Sequence, residues 1–396
     1  GFISQLAIRA SYGFVGSIDR NALPFSVLRK VGNLTYDGEK IMDRYDPSNP
    51  SIKWQRQENR NIGFDASLFN NRVNLVVNYY NNDTRNLLDD KKIAASTGRL
   101  SVAANVASVN NKGWEISLRT LNIRTDDFSW VTSVNFTKNK DKVTETYYQD
   151  LSEISASTNS TFESLYSLYI QGQPVRAFYG YKFAGVDPYT GNTLAYVDGF
   201  DDDGNRLGTL NTEGKYVYNM DNDLTTQLAN ASRGYLGRSD PPITGGFTTQ
   251  FNYKRFSLFA QFTYMTGHLA RSFQYYSGGT AYAAAKNVLK IEANRWRKPG
   301  DLTDIPRYDT GRTEYLYQLF DFRFEKGDYL KCNNISLGYN LEQSICDKLH
   351  ITRARLNFNM TNVFTLTKFR GIDPETKGAF TYPSARSYTF SLSIGI

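Results

Sequence analysis

Few residues in this sequence are spaced for chemistry. The two histidines, His268 and His350, have no Cys, Asp or Ser at a recognisable distance, and no G-x-S-x-G elbow, phosphate-binding loop or zinc motif is present. Both flank apolar segments and read as structural. Asp201-Asp202-Asp203-Gly204-Asn205 offers the clustered oxygens that hard cations favour, but it departs from the EF-hand order of acids followed by a sixth-position glycine, and reads as an acidic solvated turn. The remaining candidates are aromatic. Tyr275, Tyr276, Tyr282, Trp296, Tyr315 and Tyr317, with Phe320, stand in long polar segments, and flat rings stack well on sugars, which are apolar above and below and polar at the rim. Packing among loops, or a girdle at a membrane interface, accounts for any one of them equally well. Neither catalysis nor a metal or cofactor is expected.

Whatever positions these aromatics is extended chain. From Arg386 to Ile396 the sequence alternates without a break, with Tyr388, Phe390, Leu392, Ile394 and Ile396 on one face and Ser387, Thr389, Ser391, Ser393 and Gly395 on the other. A tilted strand of ~9–11 residues suffices to cross a bilayer. The same pattern opens the chain, where Leu6, Ile8, Ala10, Tyr12 and Phe14 alternate with small and polar residues. It recurs through Ile62, Phe64, Ala66 and Leu68, and back through Val73, Leu75, Val77 and Tyr79 after a turn at Asn70-Asn71. Trp114, Ile116 and Leu118, then Trp130, Val134 and Phe136, repeat the plan around a turn at Thr125-Asp126-Asp127. Phe247 to Tyr253 and Phe256 to Tyr264 do so around Lys254-Arg255, and Ile335 to Tyr339 and Leu356 to Met360 complete the set.

The connections alternate in length. Those at Asn70, Thr125 and Lys254 are short, whereas Ser17 to Pro50, Asp89 to Ala103, Phe273 to Phe320 and Thr367 to Ala385 are long. Short turns on one side and long loops on the other mark an outer-membrane barrel with periplasmic turns and external loops. If the three short turns share a side, Glu145 to Pro242 holds zero or two crossings, so the chain has about ten to twelve strands. Leu165 to Val186 is a candidate strand, Val27 to Tyr36 a candidate strand extension of the first loop, and Ala283 to Trp296 a short helix with Val288, Leu289 and Ala293 on its packed side. Gly185 to Gly191 and Gly371 to Gly378 share an Asp-Pro turn design that needs no ligand. Cys332 falls near the outer start of its strand and Cys346 in the periplasmic connection Leu341 to Thr352, too far apart for a disulfide, so two free thiols are expected.

Bulk composition fits. No run approaches the ~18 apolar residues of a spanning helix, while a barrel strand needs an apolar residue only at every second position. The formal charge of +7 is scattered among acids without a basic block, which argues against a nucleic-acid partner. The chain starts at Gly1 with neither an initiator Met nor a signal peptide, as expected if a targeting segment lies outside this sequence.

Several stretches also resemble the SusC/RagA-type TonB-dependent transporters: Pro50-Ser-Ile-Lys-Trp54, Asn61-Ile-Gly-Phe-Asp65, Leu68-Phe-Asn70, Asn110-Asn-Lys-Gly-Trp-Glu115, Ala177-Phe-Tyr-Gly-Tyr181, Gly237 to Phe247, Asp328-Tyr-Leu-Lys331 with Asn334 to Tyr339, and Tyr388 to Ile396. They keep the family's order along nearly the whole chain. The closing Ile396 departs from the family's usual final aromatic. The resemblance implies an all-β fold, a transmembrane antiparallel β-barrel of about 22 strands, of which residues 1–396 would be the C-terminal part, with the plug and the N-terminal strands absent from this chain. It further implies a bacterial outer-membrane location among outer-membrane lipid, coupling to the TonB complex through the missing N-terminal part, a SusD-like surface lipoprotein as partner, and import of oligosaccharides or peptides. The aromatic loops lean toward glycans. Two other readings are a self-contained small barrel acting as a passive pore or adhesin, which requires Leu6 to Phe14 to pair with Tyr388 to Ile396, and a soluble carbohydrate-binding β protein, which requires buried apolar faces.

Overall fold

The computed structural model describes the chain except residues 1, 19–24, 26, 37–38, 47–48, 98–100, 148–168, 199–205, 207, 220–233, 272–289, 308–319 and 377–381. Its main element is one antiparallel sheet of ten strands, numbered here along the wall: β1 (Ile3–Ser17), β2 (Gln55–Leu68), β3 (Val73–Lys92), β4 (Ser101–Arg124), β5 (Phe128–Thr146), β6 (Ile243–Tyr253), β7 (Phe256–Thr266), β8 (Tyr329–Asn340), β9 (Arg353–Thr367) and β10 (Ser387–Gly395). Each strand pairs with the next in sequence order.

The register makes the alternation continuous across strands. Ile8 faces Phe64, Phe64 faces Val77, Val77 faces Ile116 and Ile116 faces Phe136. Further along, Phe251 faces Leu258, Leu258 faces Leu337, Leu337 faces Phe358 and Phe358 faces Phe390. A slip of one residue would move an entire apolar set to the other face, so this pattern pins the register. The apolar face is bare: Ile8 is 75% and Phe390 79% exposed. A soluble sandwich would bury these side chains, and their exposure fits hydrocarbon instead. Even a tryptophan on this face finds a partner there, since the Trp130 indole N–H donates to Thr249 Oγ1 at 3.0 Å while its ring stacks on Phe251.

Short turns close one end. Phe69, Asn70 and Asn71 all take left-handed φ angles, of 54°, 56° and 64°, so the expected Asn-Asn turn extends one residue further back. Thr125 N–H donates to Phe128 O, and Lys254 N–H reaches across to Asp127 O at 2.7 Å, linking neighbouring turns. The fourth connection, Leu341 to Thr352, holds a helix over Gln343–Lys348 that the sequence reading missed.

The structure settles the crossing count. β5 pairs directly with β6 from Phe128–Tyr253 up to Lys138–Ile243, so no crossing intervenes and the wall has ten strands, not twelve. The strand expected at Leu165 to Val186 is not a crossing among the described residues: Ala177–Gly180 and Phe183–Val186 are short strands in the outer region, paired with Gly234–Arg238 and Thr193–Tyr196. Val27–Tyr36 is a strand as expected, in a hairpin with Glu39–Asp46. Of the helix expected over Ala283 to Trp296, residues 283–289 lie outside the described residues, and Lys290–Asn294 form a 3-10 turn. β1 pairs with β2 and β10 with β9, and no pairing joins β1 to β10, so the closure required by the self-contained barrel is not observed.

Glycine on the wall makes room for tyrosine. A Cβ at Gly113 would stand 2.4 Å from Lys138 O and 2.5 Å from Tyr80 Oη, and one at Gly245 would meet Asn135 O and the Tyr264 ring. In both places an aromatic ring covers a neighbouring strand's bare backbone, a device that pins register. Gly113→Ala is expected to cost ~1–3 kcal/mol by overpacking, measured by urea unfolding of the intact barrel from lipid bilayers. Gly234→Ala, with open space around the new methyl group, is the expected neutral control.

Candidate functional site

The inner face of the wall carries Ser, Thr, Asn and Gln, tied in a polar lattice. Arg9 clamps Asp65 through two hydrogen bonds of 2.7 Å and also donates to Asn78 Oδ1, lying over Gly63, where an added Cβ would stand 2.7 Å from Asn78 Oδ1. Arg355 donates to Ser257 Oγ and Asn357 Oδ1, and Asn252 to Ser129 Oγ. These groups suit a wet channel lining.

Above the wall, the outer segments build what the wall lacks, a buried core. Tyr181 and Phe320 are fully buried, and Phe183 and Phe322 pack with them at centroid distances of 5.0–6.2 Å. Asp321 stitches this knot: its N–H donates to Tyr181 O, and its Oδ1 accepts from Phe183 N–H at 3.0 Å. Burial pushes the Asp321 carboxyl above its ordinary value. Tyr179, edge-on to Tyr235, has its phenol likewise raised by burial.

A half-buried ion pair fastens these segments to the wall. Arg238 on Gly234–Arg238 pairs with Asp141 near the top of β5, both side chains about 15% exposed. Asp141 Oδ2 also accepts from Val175 N–H at 2.8 Å, and Arg238 Nε donates to Asp240 O. The partners are 97 residues apart in sequence, and no local pattern announced them.

Among the sequence-predicted aromatics, Trp296 is placed. Its indole N–H donates to Pro188 O at 2.9 Å and its ring lies against Gly191, at the end of the Gly185 to Gly191 turn. Asp187 organises that turn, accepting from Tyr189 N–H and the Thr190 hydroxyl through its carboxylate, and Asp373 accepts from Glu375 N–H in the same way. Local turn chemistry therefore explains both Asp-Pro motifs, although 377–378 lie outside the described residues. Tyr275, Tyr276, Tyr282, Tyr315 and Tyr317 lie outside them too, as does Asp201 to Asn205. The buried Phe320 turns out to be core. Sequence reasoning overlooked Tyr189 and Tyr382, which are 77% and 94% exposed.

His268 is buried, its ring against Gly327 and its carbonyl accepting Gly327 N–H, and His350 sits on the turn side with a left-handed φ. Among the described residues no group of three metal-ligating side chains exists. Cys332, in β8, and Cys346, in the turn-side helix, are free thiols as expected.

An antiparallel meander with a bare apolar outside, a polar inside, short turns below and folded loops above is the wall of an outer-membrane β-barrel. Residues 2–235 match the profile of the TonB dependent receptor-like β-barrel, and the chain belongs to that family. It is SusC/RagA-like and located in the bacterial outer membrane. It is 27% identical to TonB-dependent receptor P3 of Formosa agariphila over 98% of this chain and 39% of that protein. To TonB-dependent receptor SusC of Bacteroides thetaiotaomicron it is 23% identical, over 99% of this chain and 38% of SusC. The solved RagAB peptide transporter superimposes with a TM-score of 0.77 at 26% identity, over 99% of this chain and 41% of that one. The chain thus spans about two fifths of the length of these relatives.

Two predictions follow from the outer segments. Arg238→Ala leaves a half-buried carboxylate without its cation and is expected to cost ~1–3 kcal/mol, seen as faster protease cleavage near Val175; the double variant Arg238→Gln/Asp141→Asn recovers most of the loss. Because the Asp321 carboxyl is raised in the folded state, the folded state holds its proton more readily, so this group's contribution falls as pH rises from the ordinary carboxylate range through the folded value. Asp321→Asn keeps the acceptor for Phe183 N–H and is expected to flatten that dependence, measured by hydrogen exchange of the segment across pH 4 to 7.

Proposed function

We propose that residues 1–396 are the C-terminal part of the barrel of a TonB-energised outer-membrane importer, with the plug, the TonB-contacting segment and the remaining strands supplied elsewhere in the assembled protein. One observation carries this reading: a ten-stranded sheet whose first and last strands each have a free edge, matched along its whole length to about two fifths of a peptide transporter. In hydrocarbon an unpaired strand edge costs several kcal/mol per exposed polar group, so both edges call for further strands. About 22 strands close a barrel wide enough to need a plug.

The cargo in this reading is a peptide or an oligosaccharide. RagAB is described as a peptide transporter, which favours peptides. The loop tyrosines Tyr275, Tyr276, Tyr282, Tyr315 and Tyr317, with Trp296 bracing its turn, are assigned to gripping cargo or a SusD-like lid, and their flat rings suit sugars. Power comes from TonB through the plug, and the wall contributes a polar lining and a loop platform.

The test is uptake of labelled oligopeptides and oligosaccharides by cells expressing the intact protein. Uptake of one class is expected to collapse when TonB or the cognate surface lipoprotein is deleted. Uptake that persists without TonB, together with ion conductance of the purified chain alone, would sink the importer reading in favour of a passive pore.

A further inference from the structure

On the outer half of the wall, the bilayer-facing side changes from aromatic to basic within one residue row. Tyr79 and Trp114, 4.9 Å apart, form the belt that sits where hydrocarbon meets headgroups. Lys138 stands across from Trp114, Lys140 across from Lys112, and Lys142 across from Asn110. By strand alternation all four lysines share the face of Ile116 and Phe136, and all four are exposed.

Lys112 and Lys140 are therefore a like-charged cross-strand pair, an arrangement that destabilises a sheet. The carboxylates on this face are already engaged. Arg60 holds Glu58 at 2.5 Å and Asp83 at 3.4 Å, Asn110 donates to Asp83, and the higher Glu145 accepts from the Ser108 hydroxyl. Asp141, between two of the lysines in sequence, projects to the other face and is held by Arg238. Among the described residues none of the four lysines makes an ion pair.

We propose that Lys112, Lys138, Lys140 and Lys142 form a binding site for the phosphate groups of an anionic lipid of the outer leaflet, its acyl chains lying along Trp114, Ile116 and Phe136. Height selects this occupant: a headgroup phosphate sits just above the aromatic belt, and the apolar face continues directly below for its tails. Lysine suits the task, because its stem lies along apolar surface while the ammonium reaches up to charged oxygens. Bound phosphate would sit among the four ammonium groups and convert their repulsion into attraction.

Native mass spectrometry of the intact barrel, purified from outer membranes and moved into micelles doped with lipid A, tests this. The wild type is expected to retain bisphosphorylated lipid A about tenfold better than the dephosphorylated form, with the preference weakening in high salt. K112Q/K140Q should lose that preference. In lipid-free detergent the same variant should melt at the parent's temperature or above, since the repulsion is gone, and it should gain less than the parent when lipid is added. K140Q alone breaks the same pair and is used if the double variant fails to fold. Equal retention of the two lipids, or an unchanged preference in K140Q, overturns the proposal. Displacement by inorganic phosphate at equal phosphate concentration also overturns it, in favour of a soluble anion.

Discussion

Inside a bilayer no water is available to a backbone N–H or carbonyl, so every one must be paired within the protein. That constraint, more than any side-chain contact, organises this chain. Pairing forces the strands into ladders, and ladders force side chains to alternate between lipid and channel. The register from Ile8 through Phe64, Val77 and Ile116 to Phe136 is the visible result. A side chain can follow the same rule: on the apolar face the Trp130 indole N–H is paired with Thr249 Oγ1.

A wall built this way has no hydrophobic core, because its apolar face looks outward. The core has moved to the loop end. Ala104, Val106 and Ala107 at the top of β4 pack with Leu87 and Tyr169, and Tyr181, Phe320 and Ala195 are buried in the outer segments. Each region therefore follows the packing rule of its own solvent. The loops behave as a small water-soluble protein carried on a membrane wall, and the Arg238–Asp141 pair bolts the two together where their solvents meet. Because that pair fixes the outer segments to the wall and the Asp321 contacts tie them to one another, the loops can present a shaped surface despite their length.

This division explains what was legible in the sequence. Period-two alternation, recurring along the wall between local bulges, disclosed the wall and the side on which its short turns lie. Parity of crossings could not choose between zero and two, since both leave β5 and β6 antiparallel; only the direct pairing of Phe128 with Tyr253 decides. The Gln343–Lys348 helix is too short for its apolar spacing to register. The loop core was illegible for a different reason. Phe183 meets Phe320 and Asp321 across more than a hundred residues, and such long-range contacts leave no local period. Trp296 was correctly placed in the loops, but nothing in sequence could say that Gly191 leaves space for its ring.

The free edges of β1 and β10 bear on stability as well as on assembly. A soluble sheet can leave an edge to water at little cost, guarded by charge or proline. In hydrocarbon each outward-pointing N–H and carbonyl of an edge strand costs several kcal/mol, and β1 alone runs for 15 residues. Summed over such an edge, the penalty exceeds the ~5–15 kcal/mol by which whole domains are stable. Edges left to hydrocarbon would therefore outweigh even so good a register. In the proposed closed ring the strands that cover these two edges would carry that cost, and a defect in either neighbour would be felt in this wall.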